Sequence, residues 1–206
     1  MKKSLKTKIT KEKILKAAVE EFGTYGYEGA SVNRICEKHG ISKGLIYHNF
    51  ESRDNLYLCC AEEAVNKFIN YMSGKDFSAD VNLYMKERYK FFEENPFCSK
   101  LIFGIILTDN KDFSEQILKI KDKFDSFNKG LYINTVESLN LRNGVSKEDA
   151  VKYYSLMQNM LNSYLSVENN SDGNFDFAVS NHEKALAKLL DFMLYGIARE
   201  NEEKKQ

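Results

Sequence analysis

Residues 31–50 read SVNRICEKHGISKGLIYHNF, and the spacing inside this stretch decides the fold. Ser31 is placed to cap a helix, because its hydroxyl can accept from an orphan backbone N–H of the first turn. Val32, Ile35 and Cys36 follow at i, i+3 and i+4, a single apolar stripe on a short helix. Gly40 stands where a left-handed residue closes such a helix, and Ile41 plugs the corner. Ser42 caps a second helix of Lys43, Gly44, Leu45, Ile46, Tyr47 and His48. Ile46 and Phe50 are four apart and face inward, which leaves Lys43, Leu45, Tyr47 and His48 outside. A Leu and a Tyr are out of place on a purely solvated face. They suit a surface that meets thymine methyls and phosphates. The stretch reads as a helix-turn-helix whose second helix enters a DNA groove.

Position assigns roles within that helix. Lys43 and His48 are the donors for a base edge or a phosphate, and Leu45 meets a thymine methyl. Gly44 lets the backbone approach closely. Tyr47 hydrogen-bonds a phosphate through its hydroxyl. Ser31 and Ser42 donate to phosphates at helix N-termini, where backbone N–H groups also point. Capping alone accounts for the two serines equally well, and both roles can hold together.

The run ISKGLIYHNFESRDNL, with TKEKILKAAVEEFGTYGYEGASVNRICEKHG upstream, resembles the TetR (tetracycline-repressor-like) family of bacterial transcription regulators. The resemblance covers residues 9–60. It rests on an ordered set: a helix, a Gly-Tyr turn, a Ser-capped helix, an Ile-Ser corner and Tyr-x-x-Phe. Asn49 stands where the family often has His, and Arg53 where it usually has Lys. The resemblance implies an all-α fold of about nine helices. A three-helix DNA-binding domain would occupy residues 1–55, and a larger helical effector-binding and dimerisation domain residues 56–206. It implies a homodimeric repressor released from a near-palindromic double-stranded operator by a small apolar or aromatic effector. It also implies a phosphate contact for Arg53. Separately, the residues show no triad or metal-pair spacing and no Gly-rich phosphate loop, so no enzymatic activity, cofactor or metal is expected.

The bulk properties agree with a soluble cytoplasmic protein. The chain has 206 residues, 43% hydrophobic and 29% charged, with zero net charge. Residues 1–60 carry 11 Lys and Arg against 7 Asp and Glu, leaving a net charge of −4 for the remainder. A basic N-terminal part on an acidic body fits a DNA-reading head. The four cysteines, Cys36, Cys59, Cys60 and Cys98, match no zinc spacing and no disulfide framework. MKKSLKTK is basic, but no apolar stretch follows it, so it is not read as a signal peptide. Leu101–Leu107 is the longest apolar run, far short of the roughly 20 residues of a membrane span.

Read in order, residues 1–8 form a mobile basic arm, either solvated or touching phosphates. Thr10 caps a first helix with Ile14, Leu15, Ala18, Val19 and Phe22 on its inner stripe, ending near Gly23–Gly26. Tyr27 packs within the small domain. Ser52 caps a fourth helix bearing Leu56, Cys60, Ala64 and Phe68, which stops at the Ser73–Asp76 linker. The fifth is marked by Val81, Tyr84, Met85, Arg88 and Phe92, and Pro96 opens the sixth. Thr108–Asn110 breaks the chain before a long seventh helix over 112–141. The eighth, capped by Ser146, runs to about Glu168. A loop over 169–174 precedes the ninth, and the charged tail frays.

The last two helices are apolar on more than one face, so they need two partners. One is the core and the other a second copy of the chain. This places Leu161, Leu165, Leu186, Leu189 and Met193 at a dimer interface. Tyr89, Phe92, Phe103, Phe124, Phe127 and Tyr154 are the aromatics that could line an effector pocket, with core packing the competing role. No buried charge stands out to fix the effector's own charge. None of His39, His48 and His182 has triad or metal-pair spacing. His39 reads as a helix-end partner and His182 as an interface or core polar group. A different class of function is a helical redox or metal sensor signalling through Cys59, Cys60 or Cys98.

Overall fold

Helical spacing governs nearly the whole chain. The computed structural model describes residues 2–77, 80–107, 115–172 and 175–197, and among them are nine α-helices and no strand. They are α1 (Lys2–Gly29), α2 (Val32–His39), α3 (Lys43–Asn49), α4 (Arg53–Ser73), α5 (Val81–Glu94), α6 (Pro96–Leu107), α7 (Glu115–Ser138), α8 (Lys147–Asp172) and α9 (Phe175–Ile197).

Most boundaries fall at the expected caps. Ser52 Oγ accepts from Asn55 N–H at 3.0 Å. Asp80, a cap the sequence did not single out, accepts from Leu83 N–H through Oδ1 at 2.9 Å. Ser146 Oγ accepts from Asp149 N–H at 3.0 Å and donates to its carboxylate at 2.7 Å. Two expectations are corrected. The N-terminal arm is helical from Lys2, with Thr10 inside α1; KKSLKTK contains neither Gly nor Pro, and Lys and Leu are good helix formers. The stop expected near Gly23–Gly26 falls at Gly26, whose backbone leaves the helical region (φ 69°, ψ 179°), and a short helical piece follows beyond that kink to Gly29. Gly23 is a site of close approach rather than a stop: a Cβ there would lie 2.7 Å from the Phe97 backbone. Lastly, α8 continues through Asn169–Asp172, where a loop was expected. The expected break at Thr108–Asn110, the rest of that loop and the charged tail lie outside the described residues.

The chain packs as two compact units. The first comprises Met1–Tyr71 and Phe91–Lys121. Its core joins Ile14, Ala18 and Phe22 of α1 to Leu56, Cys60, Ala64 and Phe68 of α4. α6 is buried along most of its length, which explains its near-uniform apolarity. Phe68 stacks on Phe92 (5.4 Å), and Phe92 meets Phe103 edge-on (5.0 Å). The second unit comprises Met72–Lys90 and Asp122–Gln206, and in it α8 packs on α9. These are units of packing. A functional division at residue 55 is a separate matter, because α4, α5 and α7 each supply residues to both units.

Candidate nucleic-acid interface and ligand cavity

The turn at Gly40 sets the geometry of the helix-turn-helix. Gly40 is left-handed (φ 61°, ψ 37°), and the Ile41 N–H returns to Cys36 O at 3.2 Å. Val32, Ile35, Ile41, Ile46 and Phe50 are all under 9% exposed. Each fully buried side chain of this size contributes about 1.5–3 kcal/mol, so together they hold α3 in one orientation. Ser42 Oγ accepts from Leu45 N–H at 3.2 Å and Ser31 Oγ from Arg34 N–H at 3.5 Å. Both serines therefore cap.

With that face buried, Ser42, Lys43, Gly44, Leu45, Tyr47 and His48 are exposed together. Leu45 and Tyr47 are 40% and 42% exposed. Two donors, an apolar side chain and a phenol thus share one side of a single short helix.

Two clusters brace the reader, and the sequence reading missed the first. Glu21 is 4% exposed. Its Oε1 accepts from Ser31 N–H (2.8 Å) and Arg34 Nε (2.7 Å). Arg34 also donates to Gly29 O (2.7 Å) and lies 3.8 Å from the Tyr25 ring centre. In the second, Arg53 donates to the Tyr27 carbonyl and sits over the Tyr27 ring at 4.5 Å. Tyr27 Oη donates to Asp54 Oδ1 at 2.6 Å. The resemblance implies a phosphate contact for Arg53. In the structure its guanidinium is engaged first inside the protein, because Tyr27 offers both a carbonyl and a ring face. His39 Nε2 lies 3.5 Å from Glu20 Oε2, at the end of α2.

The second unit contains a cavity of about 300 Å³. Tyr84, Asn128, Leu131, Tyr132, Tyr154 and Leu190 form much of its wall. Of the six aromatics expected at an effector pocket, only Tyr154 lines this cavity. Phe92 and Phe103 are in the core of the first unit, and Tyr89 is exposed. Phe124 is buried, with the Arg88 guanidinium 5.4 Å from its ring. Phe127, half-buried, is not part of the wall either. Composition cannot separate rings that fill a core from rings that border a space.

Beside the cavity lies a buried polar network. Arg88 is 2% exposed and donates to Glu183 Oε2 at 2.6 Å and Asn128 Oδ1 at 2.9 Å. Tyr84 Oη donates to the same Asn128 oxygen at 2.6 Å. His182, fully buried, lies between Glu183 (3.1 Å) and Asn162 (3.0 Å). Burial pushes the Glu183 carboxyl up, but the Arg88 charge and the His182 hydrogen bond outweigh it and leave it below the usual carboxylate range. So a charged residue is buried after all. Its sequence signal was Arg88 itself, an arginine at an inward stripe position between Tyr84 and Phe92. His182 is a core polar group.

The expected dimer residues are also redistributed. Leu161, Leu165 and Leu186 are 6%, 4% and 2% exposed within the single chain, and Leu189 and Met193 are half-buried. The packing of α8 on α9 uses the leucine stripe. Outward stand Tyr153, Leu156, Met160 and Tyr164 of α8, with Phe192 and Tyr195 of α9.

Burial raises the thiols of Cys59, Cys60 and Cys98, so the reactive thiolate is scarce. Among the described residues no cluster of His, Cys, Asp and Glu could hold a metal, and no helix is long and apolar enough to cross a membrane. The sensor reading gains no support.

An all-helical chain with this head is, by fold, a helix-turn-helix protein. The family model "Bacterial regulatory proteins, tetR family" matches residues 14–59. The repressor AcnR of Corynebacterium glutamicum is 38% identical over 64 residues, covering 31% of this chain and 34% of that protein. The chain is thus aligned to about a third of that relative's length. Among solved structures, a TetR transcription regulator from Haloarcula marismortui gives a TM-score of 0.68 at 11% identity, covering 93% of this chain and 100% of that one. The regulator FadR of Bacillus subtilis, crystallised with stearoyl-CoA, gives 0.62 at 16%, covering 90% and 98%. Residues 14–59 thus match the DNA-binding region of the TetR family of bacterial regulatory proteins, and the chain as a whole shares the fold of solved TetR regulators.

Proposed function

We propose that the protein is a cytoplasmic, homodimeric transcriptional repressor that leaves a near-palindromic double-stranded operator when a small effector binds. Residues 1–55 read DNA, and residues 56–206 bind the effector and dimerise. The observation that carries this is the α3 face. Lys43, Gly44, Leu45, Tyr47 and His48 are exposed together on a helix held by buried Ile41, Ile46 and Phe50. Lys43 and His48 donate to base edges or phosphates, Leu45 meets a thymine methyl, and Tyr47, Ser31 and Ser42 contact phosphates. Arg53 reaches a phosphate only with the part of its guanidinium that Tyr27 leaves open.

Two reading helices require two copies of the chain. The face that supports pairing is Tyr153, Leu156, Met160 and Tyr164 with Phe192 and Tyr195. Six large apolar side chains on two adjacent helices are more than a monomer commonly exposes together. An isologous pairing of α8 and α9 makes a four-helix bundle. Half-site centres then lie about 34–36 Å apart, or a multiple of that. α4 begins beside the reader and ends in the second unit, a covalent route by which an effector can alter reader spacing. By linkage, DNA and effector must then weaken each other's binding by the same factor.

The test is to capture genomic fragments from the protein's own source on the purified chain and sequence them. Enrichment of a shared near-palindrome is expected. Capture with no common sequence, unaltered by changes at Lys43 or Leu45, overturns the reading.

A further inference from the structure

Donors are unevenly spread along the reading helix. Ser42 and Lys43 stand exposed at the N-terminal end of α3. Toward the C-terminal end His48 is exposed, but Asn49 spends its amide on Leu45 O at 2.8 Å. The last turn of any helix presents carbonyls, which accept and do not donate. Arg53, just beyond, is held by the Tyr27 carbonyl and ring. Glu51 and Asp54 are exposed at the same corner. A strand of phosphates passing there meets two carboxylates unless a cation stands beside them.

α1 brings one. Lys11 is exposed, and its Nζ lies 5.3 Å from the ring centre of Phe50, the residue that caps α3. Burial raises the Cys59 thiol of α4 and the Lys11 charge opposes that rise, so the ammonium is felt at α4 as well. Lys8, also exposed, is three residues earlier on the same face of α1. Among the described residues no carboxylate pairs with either ammonium. The Phe50 ring orients the Lys11 charge without neutralising it. Lys13 is exposed too, but two residues along a helix turn it about 200° from Lys11, to the other side of α1.

We propose that α1 also contacts DNA: Lys11, with Lys8 beside it, binds a backbone phosphate of the strand that passes the C-terminal end of α3, and so holds that end of the helix in the groove. The proposal rests on the reading of α3 as the DNA-contacting helix. Lys11 takes the part that Arg53, engaged with Tyr27, fills only incompletely. The contact is a point charge against a phosphate oxygen, so it carries affinity and no sequence information.

The experiment titrates the full chain with a captured operator, a panel of its single-base variants and an unrelated duplex, each at several salt concentrations. The protein variants are Lys11→Gln, Lys11→Arg and Lys13→Gln. Each neutralised phosphate contributes about 0.9 to the slope of log affinity against log salt, so Lys11→Gln is expected to lower that slope by about 0.9 for each bound copy of the chain. By the same relation the loss per copy is about fifteenfold at 50 mM salt and about fourfold at 200 mM. Every single-base operator should lose the same factor. Lys11→Arg should keep the parent's slope, and Lys13→Gln should lower it by less than half as much as Lys11→Gln. The proposal is overturned if Lys11→Gln keeps the parent's slope or reorders preference among the single-base operators. It is also overturned if Lys13→Gln lowers the slope as much, since net charge alone does that. A parent that prefers its captured operator while Lys11→Gln keeps the same slope removes this proposal and leaves the repressor reading standing. A parent that binds operator and unrelated duplex alike, with the slope loss present on both, removes the repressor reading and keeps the phosphate contact. A parent that binds no duplex removes both.

Discussion

Replacing Gly44 with Ala should raise the stability of the protein and lower its affinity for DNA. Gly44 lies in the first turn of α3, is exposed, and a Cβ built there meets nothing within 4 Å. Its backbone is not in the left-handed region, so Ala fits without strain. Gly inside a helix is destabilising by roughly 0.5–1 kcal/mol relative to Ala. Near a helix end the gain falls at the lower side of that range, a rise in melting temperature of about 1–3 °C for a chain of this size. At the DNA surface the same methyl enters a gap that glycine keeps open. Forcing a methyl into a close-packed contact costs about 1–3 kcal/mol, a loss of roughly five- to 150-fold. The assay is thermal unfolding of parent and variant beside titration of each with a captured operator at one salt concentration. Opposite signs are the signature of a surface that matters for binding and not for folding. A variant that is more stable and binds as before would show that α3 does not approach DNA at Gly44. A variant that loses both would make Gly44 a structural residue.

Leu45→Ala should relax preference at one thymine position by roughly 1 kcal/mol or more, read by binding to a panel of single-base operator variants; Tyr47→Phe should weaken all of them alike. Met160→Glu with Phe192→Glu should give folded monomers in sedimentation and circular dichroism, because these side chains are 72% and 76% exposed; a persistent dimer moves the interface elsewhere. Glu183→Gln should cost about 3–5 kcal/mol in denaturant unfolding, since Arg88 stays buried without its carboxylate. Glu183 is held below the usual range, so its stabilisation is complete above the unfolded carboxylate pKa near 4.3 and drains away as pH falls through the lower folded value. The Gln variant should lack that part of the acid limb, and identical acid profiles for the two chains would contradict the assignment.

Locally encoded features are legible in the amino-acid sequence itself. Ser31, Ser42, Ser52 and Ser146 mark helix starts because a capping hydroxyl bonds only two or three residues ahead. Ile46 and Phe50 point inward because a helix places residues four apart on one face. From these alone follow the helix-turn-helix, the outward set from Lys43 to His48, and the near-complete helix count. Periodicity also shows that α8 and α9 are apolar on two faces. It cannot say which face meets which partner: Leu161, Leu165 and Leu186, expected at a dimer interface, are buried within the single chain, while Met160 and Phe192 stand exposed. That choice is made when α8 and α9 pack on each other, which is long-range geometry. Arg88 and Glu183 meet across 95 residues of sequence, and no local pattern couples them. The same holds for Phe92, Phe103 and Tyr132. All three are aromatic and buried, and only the packing of whole helices decides which rings fill a core and which one lines a cavity.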